Sequence, residues 1–199
     1  MKLLLDSSSL LLLSVLLAQL PLFTSAFPAH ARRIHTDFDK LTNQTRHLQR
    51  LTHDLINAHK TDDATQEQYK FKSLPSINSR ANDLSSLELK STLSQLHADL
   101  KSFEHHFEWL NKVTQKHHHS LTSKLAEIIS HIKSLSSLLH RQMLHVDAPR
   151  IPVPSPSLPS QPLTQWDMIQ SSQVLLQRFR LFCDWAARAF LSLKSKTQV

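Results

Sequence analysis

The 199-residue sequence contains no glycine and only one cysteine, Cys183. Phosphate-cradling loops, dinucleotide fingerprints and nucleophile elbows all need backbone positions that a Cβ obstructs, so none can be built in its usual form. Type I′ hairpin turns and glycine-ended helices also lose their preferred residue, which argues against a β-rich fold. A lone cysteine cannot form an intrachain disulfide. The small disulfide-framework modules are therefore excluded, and a packed core must hold the fold alone. Cys183 either pairs between chains or, lying among Phe179, Phe182 and Phe190 at helical spacing, serves as a small buried hydrophobe. Long apolar runs are scarce as well. The N-terminal stretch from Leu10 to Leu17 is too short for a membrane span, which needs about 20 residues.

That stretch has another reading. Lys2 supplies a positive start, the leucines an apolar centre, and Thr24-Ser25-Ala26 a small-residue cleavage site. This is the layout of a secretory signal peptide over residues 1–26. The expectation is one domain over 27–199, beginning at Phe27, secreted to the extracellular space and without membrane insertion. The formal charge is +7 with fourteen histidines neutral. Outside the cell such a charge meets heparan sulfate or acidic receptor faces, and the signal peptide removes nucleic acid as a partner. Lys and Arg are scattered and not massed in one run, so a solvated basic surface accounts for them as well.

What the chain does have is helical periodicity in four segments. Over about 36–59, Phe38, Leu41, Thr45, Leu48, Thr52 and Leu55 form one stripe. Over about 89–113, Leu89, Leu93, Leu96, Leu100, Phe103, Phe107 and Leu110 alternate steps of four and three. The segment 121–143 repeats apolar residues from Leu121 through Ile128 and Leu135 to Met143. The last, about 164–194 with Thr164 as N-cap, has the widest apolar face, from Met168 through Phe179 to Leu193. A short link of residues 114–120 makes the middle pair antiparallel neighbours. The connections 60–88 and 144–163 are long, and the second holds six of the nine prolines. A helix of about 24 residues is about 36 Å long, a span that either long connection can retrace. Long, short, long predicts an all-α, long-chain four-helix bundle of up-up-down-down topology with two long crossover connections.

The last helix reads Asp184-Trp185-Ala186-Ala187-Arg188-Ala189-Phe190-Leu191-Ser192-Leu193-Lys194. This resembles the C-terminal helix of the interleukin-11 family, in the interleukin-6 class of long-chain four-helix cytokines. Ser73-Leu74-Pro75, Leu96-His97-Ala98-Asp99-Leu100 with Trp109-Leu110, and the proline-rich connection ending at Trp166 resemble the same family in register. The absence of disulfides also suits it, unlike interleukin-6 itself.

The resemblance implies a secreted cytokine with three receptor sites and no enzymatic activity. Asp184, Trp185, Arg188 and Leu191, with part of the first long connection, would bind interleukin-11 receptor alpha. His131, where the family has Arg, on the outer face of the first and third helices, and Trp166 would bind glycoprotein 130. Joining two such signalling chains would activate Janus kinases and STAT factors. The stretch from Ile77 to Asn82 is more polar than in the mammalian proteins.

The residues by themselves leave alternatives. Trp166 is either a cap packed on the bundle end or an exposed anchor, and Trp185 with Arg188 also suits a core tryptophan beside a snorkelling arginine. Asn43-Gln44-Thr45 is a glycosylation sequon, and Asn43 lies opposite the apolar stripe, close to the face expected to meet glycoprotein 130. His117-His118-His119 points its rings 100° apart if helical and has no carboxylate or thiol to complete a set, so no metal site is expected there. Nor is any cofactor. The rival readings are another interleukin-6-class cytokine, such as a cardiotrophin-like factor, and a secreted amphipathic-helix lipid carrier. The carrier usually has repeats of fixed period, and none is present. An enzyme would need loops or constellations that the sequence lacks.

Overall fold

The computed structural model describes residues 29–58, 71, 73–76, 84–115, 119–153, 155–158 and 164–197. The segment 1–26, expected to be a signal peptide, the polar stretch 77–82 and His117 and His118 lie outside them. Four helices make up the described fold: α1 (Ala29–Ala58), α2 (Leu89–Thr114), α3 (His119–His145) and α4 (Gln165–Lys196). The first starts at Ala29 and not near Thr36, where the apolar stripe begins. Periodicity locates the buried face, whereas Ala29, Ala31, Arg32 and Arg33 are good helix formers that extend the helix ahead of it. Thr164 caps α4 in a reciprocal box. Its hydroxyl accepts from the Asp167 N–H at 3.1 Å, and its own N–H donates to Asp167 Oδ2 at 3.0 Å.

Polar and aromatic contacts fix the helix directions. Lys194 Nζ donates to Asp39 at 2.6 Å, and Gln49 Nε2 to Asp184 at 3.5 Å, so α1 and α4 are antiparallel. Arg141 meets Asp37 at 3.5 Å while the rings of His47 and His131 lie 4.7 Å apart, so α1 and α3 are antiparallel. Lys133 pairs with Glu108 at 2.7 Å, and Ser136 lies 3.4 Å from His97, which sets α2 against α3 in the same sense. Phe103 against Phe182 at 5.1 Å and Phe107 against Phe179 at 5.0 Å do so for α2 and α4. Helices α1 and α2 are therefore parallel to each other, as are α3 and α4, and neither parallel pair is in contact. This is the up-up-down-down bundle expected from the lengths of the connections.

The stripes close on one core. Phe38, Leu48, Leu100, Phe107, Ile132, Phe179 and Phe190 are all buried in a single cluster. Thr45 and Thr52 occupy stripe positions because each hydroxyl donates to the carbonyl four residues back, at 2.7 Å, and presents its methyl group to the core. Phe103, Phe107, Phe179 and Phe182 pack ring to ring between α2 and α4. Cys183 is wholly buried beside them, and burial pushes its thiol far above the ordinary value. It is an inert core residue that no second chain can reach in the folded state.

Without glycine, the chain leaves α3 through Asp147 at φ 54°. The Ala148 N–H donates to the Met143 carbonyl at 2.9 Å and the Asp147 N–H to Leu144 at 3.4 Å, forming a Schellman motif with aspartate in the usual glycine position. The Ser94 hydroxyl then holds the Pro149 carbonyl at 2.5 Å. Ser73 ties the two long connections to α2. Its hydroxyl donates to His106 Nε2 at 2.9 Å and accepts from the Ser157 N–H at 3.1 Å, and its carbonyl accepts from Ser102 at 3.2 Å. His106 Nδ1 donates to the Ser102 carbonyl at 2.7 Å, which fixes the neutral tautomer. Phe71 and Leu74 are buried on either side of this link.

Candidate partner-binding surfaces

The broad apolar face of α4 packs into the bundle, and the opposite face is left exposed by the described residues. Leu181, Asp184, Arg188 and Leu191 recur at steps of three and four and line that outer face. Leu181 and Leu191 are 53% and 39% exposed, so the stripe carries two apolar side chains in contact with solvent. Asp184 and Arg188 form an ion pair across one turn between them, and Gln49 of α1 steadies the carboxylate. Such a pair contributes about 0.3–0.5 kcal/mol to stability, while presenting one acid and one base between two apolar anchors.

Trp185 sits on the flank of this stripe, partly buried and packed against the core. The core-tryptophan alternative therefore describes its packing in part, while Arg188 stays exposed. Leu181 was not singled out from the sequence. The available signal was its register with Asp184, Arg188 and Leu191, away from the Phe179, Phe182 and Cys183 face.

The first long connection approaches this end of α4 at residues 84–87. Ser192 donates to the Leu84 carbonyl at 2.8 Å, and Lys196 Nζ to the carbonyls of Ser85 and Leu87 at 2.8 and 2.7 Å. The Ser73-Leu74-Pro75 element instead docks on α2 through His106 and Ser102.

Trp166 stands in the first turn of α4 at the opposite end of the bundle, 47% exposed. The Thr164–Asp167 box holds the turn that carries it. Between Trp166 and Arg188 the helix advances about 33 Å at 1.5 Å per residue, enough to keep two partners apart.

His131, half-buried at mid-α3, meets the His47 ring edge to face across the α1–α3 seam. Asn43 is exposed one turn before His47 on α1, so a sugar on it would stand beside that seam. The structure thus gathers Asp184, Trp185, Arg188 and Leu191 at one end, Trp166 at the other, and His131 with Asn43 on a third face. Among the described residues no group of three or more His, Cys, Asp or Glu side chains is placed to hold a metal ion. None of their helices is long and apolar enough to cross a membrane.

A family model described as Interleukin 11 matches residues 28–197. Interleukin-11 of Mus musculus is 26% identical over 174 residues, covering 85% of this chain and 87% of the mouse protein. Interleukin-11 of Rattus norvegicus gives the same 26% over 174 residues. Interleukin-11 of Macaca fascicularis is 28% identical over 129 residues, covering 64% of this chain and 65% of the macaque protein.

Proposed function

The chain belongs to the interleukin-11 family of cytokines, and from that premise we propose that it is a secreted ligand for interleukin-11 receptor alpha that then recruits glycoprotein 130. Residues 1–26 serve as its signal peptide. The observation that carries the receptor reading is the outward stripe of Leu181, Asp184, Arg188 and Leu191. Two exposed leucines flank a charged pair there, on a helix whose other face is fully used in the core. Apolar anchors beside an arginine are the composition of a binding hot spot.

Trp166 at the far end and His131 on the α1–α3 seam offer separate contacts for the signalling receptor, so that one rigid rod holds two kinds of partner at once. Pairing of glycoprotein 130 chains would activate Janus kinases and STAT factors. A chain with this charge also attracts heparan sulfate diffusely. The lipid-carrier reading requires apolar helix faces free to meet lipid, and here all four close on one another.

The test is capture of the chain from Phe27 on immobilised interleukin-11 receptor alpha, followed by addition of glycoprotein 130. Arg188→Ala should weaken capture by roughly thirtyfold, the scale of a 2 kcal/mol hot spot. Its urea stability should move by no more than about 0.5 kcal/mol, because only an exposed ion pair is lost. A helical, monodisperse chain that fails to bind the receptor, yet binds lipid vesicles, would overturn the reading.

A further inference from the structure

A second feature lies on the α2–α3 face, clear of the α4 stripe and of the α1–α3 seam. His97 and Lys101 from α2, Ser136, Ser137 and His140 from α3, and Arg150 from the third connection line a groove of about 220 Å³. The His97 and His140 rings lie 5.6 Å apart, Ser136 Oγ is 3.4 Å from His97 Nε2, and Arg150 donates to His140 Nε2 at 2.6 Å. Arg150 is set there by the backbone, since the Asp147 turn and the Ser94–Pro149 hydrogen bond fix the residues just before it. Four basic side chains thus converge, with no carboxylate among the described residues of the lining. The facing acid is Glu104, which holds Lys101 at 2.7 Å from its buried position on α2, and Glu108 is taken by Lys133.

The Arg150 guanidinium, held on an imidazole nitrogen beside a second imidazole and the Glu104-paired Lys101, leaves a positive charge without a counterion in the groove, which an anion would relieve. Planar Arg donors, a Lys point charge and two hydroxyls suit oxygen atoms distributed around one centre. The volume admits one such ion with several waters, each occupying about 30 Å³. We propose that this groove is a binding site for a tetrahedral oxyanion, a sulfate or phosphate group, whose affinity rises as the medium becomes more acidic.

The acid dependence follows from His97. Its burial, with His140, Lys101 and Arg150 facing it, holds its imidazole below the ordinary value, and Glu104 pulls the other way. An oxyanion in the groove favours the imidazolium, so binding takes up a proton and strengthens as pH falls. The site stands independently of the receptor reading, because none of its residues lies on the surfaces assigned to receptors.

The experiment is an NMR titration of the His97 imidazole in the chain from Phe27, with sodium sulfate at constant ionic strength set by sodium chloride. The expected result is a saturable shift, tighter by at least about threefold at pH 5.5 than at pH 7.5. Arg150→Gln, an exposed position, should weaken it about tenfold or more, and His97→Asn, followed on the His140 signal, should abolish the pH dependence. A linear, unsaturated response, or equal binding by Arg150→Gln, would overturn the site. A heparin-derived hexasaccharide separates the sources. If it competes with sulfate for the His97 signal, the group is carried on a glycosaminoglycan; if it leaves His97 unmoved while inorganic sulfate saturates it, the ligand is the free ion.

Discussion

Asp147 ends α3 at φ 54°, a conformation that costs an L-residue about 1–2 kcal/mol, with aspartate toward the lower end because its short side chain tolerates it. Its charge also sits at the negative end of the helix dipole, and its ion pair with Lys90, at 3.9 Å on a fully exposed carboxylate, adds nothing measurable. Glycine removes the steric cost but brings about 0.5–1 kcal/mol of additional backbone entropy in the unfolded chain. The net for Asp147→Gly is a gain of about 0.5–1 kcal/mol, or roughly 1–4 °C in melting temperature for a domain of this size. Asp147→Asn should gain less, through the dipole alone. Asp147→Val should lose at least about 1 kcal/mol, because a β-branched residue at positive φ is a true outlier. Urea unfolding of the four proteins side by side gives the ranking. If valine is tolerated and glycine gains nothing, the chain does not leave α3 through a left-handed residue. The positions argued for Pro149 and Arg150 would then fall with it.

Phe179 touches Phe103, Phe107 and Phe182 with ring centres 5.0–6.1 Å apart, so Phe179→Ala should cost about 3–5 kcal/mol in urea unfolding and Phe179→Leu clearly less. Thr164→Ala should cost about 1 kcal/mol and should speed amide exchange in the first turn of α4 without changing it near Arg188. His106 is held below the ordinary imidazole value by burial, opposed by its bond to the Ser102 carbonyl, and His97 is depressed as well. Both therefore contribute stability that is fully present above the unfolded value of about 6.5, and that is lost as pH falls from there toward the folded values. Urea midpoints should drop through that window, and His106→Gln should flatten the drop; a midpoint that stays level in the wild-type chain would contradict the buried neutral histidines.

The bundle was legible because its information is local and repeated. Each stripe recurs every three or four residues over several turns, and a short link between two long connections leaves few ways to join the helices. The link is four residues, 115–118, and not the seven expected, because both flanking helices run past their stripes. The start of α1 was not legible, since helix propensity alone carries Ala29 to Arg33 ahead of the first stripe residue. The Ser73 link was hidden for a different reason. It joins residues 33 apart to His106 and 84 apart to Ser157, and a serine in a loop has no periodicity to betray its partners. Asp147 shows a third kind of gap. The lack of glycine implied that some other residue must end each helix, but not which aspartate or asparagine would enter the left-handed region. The exposed stripe of α4 was half legible. Asp184, Arg188 and Leu191 stood out by resemblance, whereas Leu181 passed as one more leucine in a leucine-rich helix until the packing placed it outside.

The division of labour along α4 follows from the same packing. Its inner side contributes Phe179, Phe182, Cys183 and Phe190 to the core, so the helix cannot bend or rotate without opening the whole bundle. Its outer side is then held at fixed height and azimuth, with Trp166 and Arg188 about 33 Å apart on a rod of 1.5 Å per residue. The proposed function, in which one ligand positions two receptors relative to each other, would need that rigidity more than tight contacts within the ligand itself. The described parts of the two long connections fasten to α2 and to the end of α4 through Ser73, Ser192 and Lys196. A chain without disulfides keeps its partner surfaces in register because the side chains that fix their spacing are the ones buried beneath them.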